Sequence, residues 1–147
     1  RNNSYVKRYF RLLVNNVIGP MGIKLQAQVW AGDQPDTKSN SAIDAAWNAW
    51  ASSPVTVDGK LTLRRFEKLI LKTIACDGEA FVRLWRGFEA NPHGLALQAI
   101  DADLIDETFS RPRRGSENEI RMGVEVDAIG RPVGYWVWNT TSASGSG

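Results

Sequence analysis

One cysteine and two carboxylates fall close together in the stretch LILKTIACDGEAFVRLWRG, and these residue types suggest nucleophilic or acid-base chemistry. They are Cys76, Asp77 and Glu79, with Gly78 between the two acids. A catalytic cysteine needs a base beside its sulfur, usually a histidine. The only histidine is His93, in a predicted turn. We therefore interpret Cys76 as a small, half-buried apolar residue and predict no catalytic residue.

Asp77, Gly78 and Glu79 have a second interpretation as a structural turn. A helical apolar period before Gly78 changes to strand-like alternation after it, and glycine tolerates the left-handed backbone with which helices often end. Two carboxylates can also hold a metal, but they need further ligands to do so. We favour the turn and predict no metal or cofactor site here.

Further along, the stretch DADLIDE adds four carboxylates: Asp101, Asp103, Asp106 and Glu107. A D-x-D pair is used to bind Mg²⁺ in phosphoryl-transfer sites. The calcium-loop pattern fails, because Leu104 and Ile105 replace the polar residues and glycine that it requires. We favour an acidic loop that caps a strand end or meets a basic neighbour, and a metal-dependent phosphoryl-transfer enzyme stays as an alternative.

Basic residues recur in three groups: Lys7, Arg8 and Arg11; Arg64, Lys68 and Lys72; Arg111, Arg113 and Arg114. Basic stripes can follow the phosphates of nucleic acids. No helix-turn-helix or zinc pattern accompanies them, and no aromatic residues are interleaved as in a single-strand platform. Solvated faces or subunit contacts are favoured, with a nucleic-acid-binding module as the other alternative.

Length and composition indicate one folded domain with a real core, since 43% of the 147 residues are hydrophobic and 23% are charged. The net charge of +2 does not by itself argue for a nucleic-acid partner. No apolar run approaches the roughly 18 residues of a membrane span, so we expect no membrane partner. The chain begins at Arg1 without a methionine, and we expect it to be a trimmed fragment.

Three helices are predicted from apolar spacing: 4–18 with Ser4 as N-cap, 41–51 with a capping box of Ser41 and Asp44, and 63–75 with Thr62 as cap. Their expected inner faces are, in chain order, Val6, Phe10, Leu13 and Val17; Ile43, Trp47 and Trp50; and Phe66, Leu69, Ile70, Thr73 and Ile74.

Strands are predicted where apolar and polar residues alternate: 23–30, a hairpin of 80–86 with 95–100, and a second hairpin of 120–126 with 133–138. The loop 110–119 has no apolar residue and is expected to be exposed and mobile. The fold class is therefore α+β, with a mostly antiparallel sheet built from hairpins and packed with about three helices. We expect residues 1–139 to form one domain and 140–147 to be a flexible polar tail, a linker or a remnant of cloning.

Four stretches, in this order, resemble the lambda-type phage portal proteins. RNNSYVKRYFRLLVNNVIGPMGIKLQ is similar to the family's first helix and the extended segment after it, with Ser4 for the common proline and Pro20-Met21 as a small insertion. DGKLTLRRFEKLILKTIACDGEAFVRLWR resembles a helix that ends in D-G-E and continues into a strand. LALQAIDADLID and IRMGVEVDAIGRPVGYWVW resemble two later motifs, with Gly134 where alanine is usual.

The resemblance covers nearly the whole chain and implies a structural role without catalysis. Such portals are homo-oligomeric rings, typically dodecamers, at one vertex of the capsid in the virion, and they assemble in the cytoplasm of the bacterial host. The implied partners are other portal subunits, the terminase large subunit, capsid protein, head-completion proteins and the dsDNA that is packaged and ejected through the channel. This chain would be a wing-region domain of a longer portal.

Three tryptophans, Trp30, Trp136 and Trp138, lie on predicted strand faces opposite the faces that look like core. Either helices cover both faces within the domain, or neighbouring subunits or the rest of the portal cover the tryptophans. We predict that these three residues form a subunit or intra-portal interface.

Overall fold

The computed structural model describes residues 3–139 and divides into two compact units, Arg1–Ala99 and Ile100–Gly147. The expected polar tail, 140–147, lies outside the described residues. The helices are α1 Ser4–Val17, α2 Thr37–Ser52 and α3 Leu63–Asp77. The strands are β1 Trp30–Ala31, β2 Gln34–Pro35, β3 Phe81–Arg86, β4 Leu95–Ile100, β5 Glu119–Arg121, β6 Val124–Val126 and β7 Pro132–Tyr135, with one 3₁₀ turn at Ala102–Leu104.

The predicted α+β class is confirmed: three helices accompany small antiparallel sheets built from hairpins. The strands do not join into one sheet, however. β1 pairs with β2, β3 pairs with β4, and β5, β6 and β7 form a three-stranded antiparallel sheet.

The core of the first unit is a side-chain cluster of Trp50, Val55, Leu63, Phe66 and Leu97. The indole N–H of Trp50 donates to the carbonyl of Leu95 at 2.9 Å, which satisfies the one polar group of this buried ring. The N–H of Leu97 donates to the carbonyl of Val55 at 2.8 Å, so the segment after α2 lies directly beside β4.

The first helix buries a different stripe from the expected one. Val14 and Ile18 are buried, whereas Val6 and Val17 are exposed. The buried stripe is thus shifted by one position, or about 100° around the helix axis. The N-cap is also different, because the side chain of Asn3, and not Ser4, accepts the N–H of Tyr5 at 2.8 Å.

The second helix begins at Thr37, four residues before the predicted start at Ser41, and the predicted capping box is wrong. The Asp36 carboxylate is the actual cap: it accepts the N–H of Ser39 at 3.0 Å and also its hydroxyl. Trp50 is buried on this helix, but Ile43 is 41% exposed.

Residues 23–29 do not form the predicted strand; only Trp30–Ala31, just after them, pairs as one. Their alternation matches an extended chain, but side chains of α2 and α3 take the place of a partner strand. The backbone N–H groups of Ile23, Ala27 and Val29 donate to Glu67 at 3.2 Å, Asp44 at 3.1 Å and Asn40 at 2.6 Å, respectively.

The third helix starts after Thr62, as expected, although the Thr62 side chain makes no capping hydrogen bond. The prediction of which side chains this helix buries is confirmed only in part. Phe66 is buried, but Leu69 and Ile74 are 42% and 46% exposed.

In the second unit the predicted strand 120–126 is wrong. β5 ends at Arg121, the chain reverses at Met122-Gly123, and Val124 of β6 pairs with Arg121. Both turn residues have positive φ, 48° and 77°, as two-residue hairpin turns of the favoured hand require.

Gly123 in this turn is surrounded by backbone. Its N–H donates to the carbonyl of Phe109 at 2.8 Å, and its carbonyl accepts the N–H of Trp136 at 2.8 Å. A Cβ at this position would lie 2.7 Å from the carbonyl oxygen of Asp106. The turn therefore requires glycine both for its conformation and for its lack of a side chain.

The segment expected to be a mobile loop, 110–119, is paired at its start. Arg111 and Ile120 exchange two backbone hydrogen bonds, of 2.9 and 2.8 Å, and Ile120 is one of the most buried residues of the unit. Most of the positions between them are exposed.

Candidate functional site

The Asp77-Gly78-Glu79 junction is built as the end of a helix. α3 ends at Asp77, and Gly78 is its C-cap with φ 88° and ψ −19°, in the left-handed region. The N–H of Gly78 donates to the carbonyl of Ile74 at 3.0 Å. Both neighbouring carboxylates are exposed. This geometry turns the chain out of the helix and towards β3.

Cys76 is exposed in the last turn of α3, which differs from the half-buried position that we expected. His93 lies between β3 and β4, where its backbone N–H donates to the side chain of Asn91 at 3.0 Å. Within residues 3–139, no group of three or more His, Cys, Asp or Glu side chains is arranged to hold a metal ion.

The DADLIDE segment forms local caps and turns. Asp101 is the N-cap of the 3₁₀ turn and accepts the N–H of Asp103 at 3.1 Å. Asp106 accepts both the N–H and the hydroxyl of Thr108, at 3.1 and 2.7 Å. These bonds use the two carboxylates as turn acceptors.

Four carboxylates with a lowered pKa are also turn, cap or strand acceptors. The Thr56 hydroxyl and the Lys60 N–H hold the pKa of Asp58 below its usual range. Backbone N–H groups of Arg131 and Ile129 lower the pKa of Asp127 in the DAIGR turn. The remaining two, Asp36 and Glu119, have their pKa lowered chiefly by side-chain bonds from Ser39 and Arg121. All four shifts favour the charged, hydrogen-bonded form, as expected of structural carboxylates.

The three tryptophans singled out above are all exposed: Trp30 by 62%, Trp136 by 44% and Trp138 by 56%. Trp136 packs edge-on against Phe109, with ring centroids 4.9 Å apart. The opposite face of the last hairpin is not core either, because Val133 and Tyr135 are 47% and 49% exposed. The exposed apolar side chains of this hairpin therefore extend beyond Trp136 and Trp138.

Two of the three basic groups meet in the structure. Lys7 and Arg11 of α1 and Lys68 and Lys72 of α3 line a groove of about 480 Å³. Arg64, which the sequence groups with Lys68 and Lys72, instead lines a different depression beside residues 21–24. The three positions are spaced by four residues and lie on one side of α3, but Arg64 lies one helical turn before Lys68 along the axis, next to residues 21–24 and not to α1.

This basic groove, defined by Lys7, Arg11, Lys68 and Lys72, also has apolar walls. Phe10 and Val14 of α1 line it, and Cys76 lies at the α3 side. No acidic residue lines it within the part of the chain that the structure describes. Sequence reasoning missed the groove, because its two basic stripes lie on helices far apart in the chain and neither stripe signals the other.

No helix among residues 3–139 has the length and apolar character needed to cross a membrane. A model of the family described as "Phage portal protein, lambda family" matches residues 1–146. A probable portal protein of Halomonas phage phiHAP-1 is 36% identical over 138 residues, which cover 92% of this chain and 26% of that protein. The chain thus spans about a quarter of the length of that relative. Since the family match extends over nearly the whole sequence, this chain belongs to the lambda family of phage portal proteins.

Proposed function

We propose that this chain is a wing-region part of a portal ring at a capsid vertex, through which dsDNA is packaged and ejected and on which the terminase large subunit docks. The family match over residues 1–146 is the observation that carries the proposal. Portal proteins of this family are structural and not enzymatic. Residues 1–139 would form the wing-region piece of a subunit, in contact with other portal subunits and, in the assembled head, with capsid and head-completion proteins.

The exposed apolar surface supports a role in assembly. Large apolar side chains are exposed on the outer face of α1 and on the last hairpin, including Tyr5 by 82% and Trp138 by 56%. Isolated soluble domains rarely leave aromatic surface of this extent in water. Surfaces of this kind become the buried centres of subunit contacts.

A metal-dependent phosphoryl-transfer enzyme has no comparable support. Asp101 and Asp106 are bonded to local backbone and hydroxyl groups. Glu79 lies exposed at the start of the segment that leads into β3. Calorimetric titration with Mn²⁺ would support this alternative if it showed clear binding that Asp101→Ala and Asp103→Ala abolish.

The proposal is tested by locating the full-length protein in phage particles. Cryo-electron microscopy of particles without imposed symmetry should show one ring of identical subunits at a single vertex. Particles lacking the protein should contain no packaged DNA. Many copies spread evenly over the shell, or normal packaging without the protein, would contradict the proposal.

A further inference from the structure

The basic groove combines features that single out one kind of occupant. Arg11, Lys68 and Lys72 make no ion pair within the part of the chain that the structure describes, so their charge is available. A phosphate backbone requires positive charge and makes no use of apolar walls. An acidic protein surface with an apolar centre uses both, because its carboxylates meet the lysines while an apolar side chain packs against half-buried Phe10.

This chain has a surface of that kind in its second unit. Residues 100–147 contain five Lys and Arg against eight Asp and Glu, whereas residues 1–99 contain thirteen against eight. Around the 3₁₀ turn, Asp103 and Glu107 are exposed, with half-buried Leu104 between them. Neither carboxylate has a side-chain hydrogen bond or ion pair among residues 3–139. We call Asp103, Leu104 and Glu107 the acidic ridge.

We propose that the basic groove of one portal subunit receives the acidic ridge of a neighbouring copy. The inference rests on the proposed function, since it requires a ring. A ring is built from head-to-tail contacts, in which each subunit presents two different and complementary surfaces. The groove and the ridge form such a pair, positive with an apolar wall on one unit and negative with an apolar centre on the other.

Charge reversal in the full-length protein tests this pairing. Lys68→Glu/Lys72→Glu should lower ring formation, measured by native mass spectrometry, by at least about tenfold at low salt. Asp103→Lys/Glu107→Lys should do the same, and combining the two reversals should restore rings. Lys38→Glu/Arg65→Glu is the matched control: it makes the same charge change on exposed helical positions outside the groove and should leave assembly unchanged.

Cross-linking then tests the contact itself. Cys76 lies in the groove, so Asp103→Cys with a short bis-maleimide should give a ladder of covalent multimers. The ladder should disappear in Cys76→Ser/Asp103→Cys. It should also be absent when the second cysteine is Ile129→Cys, a turn position that is 86% exposed.

The outcomes separate this inference from the proposed function. Rings that form without a ladder and without charge rescue would overturn the groove-and-ridge contact and leave the portal proposal standing. A full-length protein that never forms rings would overturn both. Salt-dependent binding of duplex DNA that Lys68→Glu/Lys72→Glu abolishes, with ring formation unaffected, would assign the groove to nucleic acid and overturn the inference.

Discussion

Gly78 and Gly123 both have a positive φ angle, but their surroundings differ sharply. Gly78 ends α3 with φ 88°, and Gly123 turns β5 into β6 with φ 77°. A Cβ on Gly78 would meet nothing within 4 Å, whereas one on Gly123 would lie 2.7 Å from the carbonyl oxygen of Asp106. The first junction needs glycine for conformation alone, and the second needs it for conformation and for space. Two glycines with similar positive φ angles can therefore differ in how sensitive they are to substitution.

Gly123→Ala should have the largest effect on stability. The added methyl group both adopts a disfavoured φ and pushes against the backbone at Asp106, so we expect a loss of about 3 kcal/mol or more in the free energy of unfolding. Urea unfolding followed by tryptophan fluorescence measures it. Gly130→Ala is the control, because Gly130 has φ 83° with nothing within 4 Å of its would-be Cβ. Equal losses at the two positions would show that space at residue 123 does not matter.

Gly78→Val should cost less, about 1–2 kcal/mol, through backbone conformation alone. Gly78→Asn should recover much of that loss, because asparagine tolerates the left-handed region. Both are measured by the same unfolding experiment. If Asn proved as costly as Val, the conformational account of this junction would be wrong.

Acid should weaken the DAIGR turn, with a smaller effect than either glycine change. The pKa of Asp127 is lowered in the folded protein, chiefly by the N–H of Arg131. The hydrogen bonds to its carboxylate therefore contribute their full stability at pH values above the ordinary pKa of aspartate. That contribution is lost as pH falls through the lowered folded value. Comparing melting temperatures of wild type and Asp127→Asn from neutral pH into acid tests this. The difference between them should shrink at the acid end, and a constant difference would contradict the assignment.

Cys76→Ser should have the smallest effect. The side chain is exposed, so we expect a change within about 0.5 kcal/mol and normal assembly of the full-length protein. Thermal unfolding and the yield of DNA-filled particles measure the two expectations. A variant that folds normally but yields empty particles would show that the thiol has a role beyond structure.

The sequence predicts the end of α3 at Gly78 well and the turn at Gly123 between β5 and β6 poorly. The end of α3 is visible in advance, because a helical period stops at a glycine between two acids. IRMGVEV alternates well enough to resemble a single strand, yet Gly123 divides it into two. A glycine inside a strand pattern is a signal for a bulge or a close backbone approach, and here it marks a full reversal.

The alternation in IKLQAQVW misleads for a different reason. Alternation indicates an extended backbone but says nothing about what pairs with it. Here the acceptors are side chains, among them Asn40 and Glu67, which are distant in sequence. The basic groove likewise depends on contacts between segments far apart in sequence, since it forms where α1 packs against α3. A local pattern therefore predicts the basic residues of each helix but not that the two sets line one groove.

The full-length protein that contains this segment should assemble into a closed ring. Native mass spectrometry of that protein at near-physiological salt measures this in one experiment. We predict a single dominant species whose mass is a whole multiple of the subunit mass, with an annular projection in electron micrographs. A protein that remains monomeric at every concentration, with native folding shown by cooperative unfolding, would contradict the account.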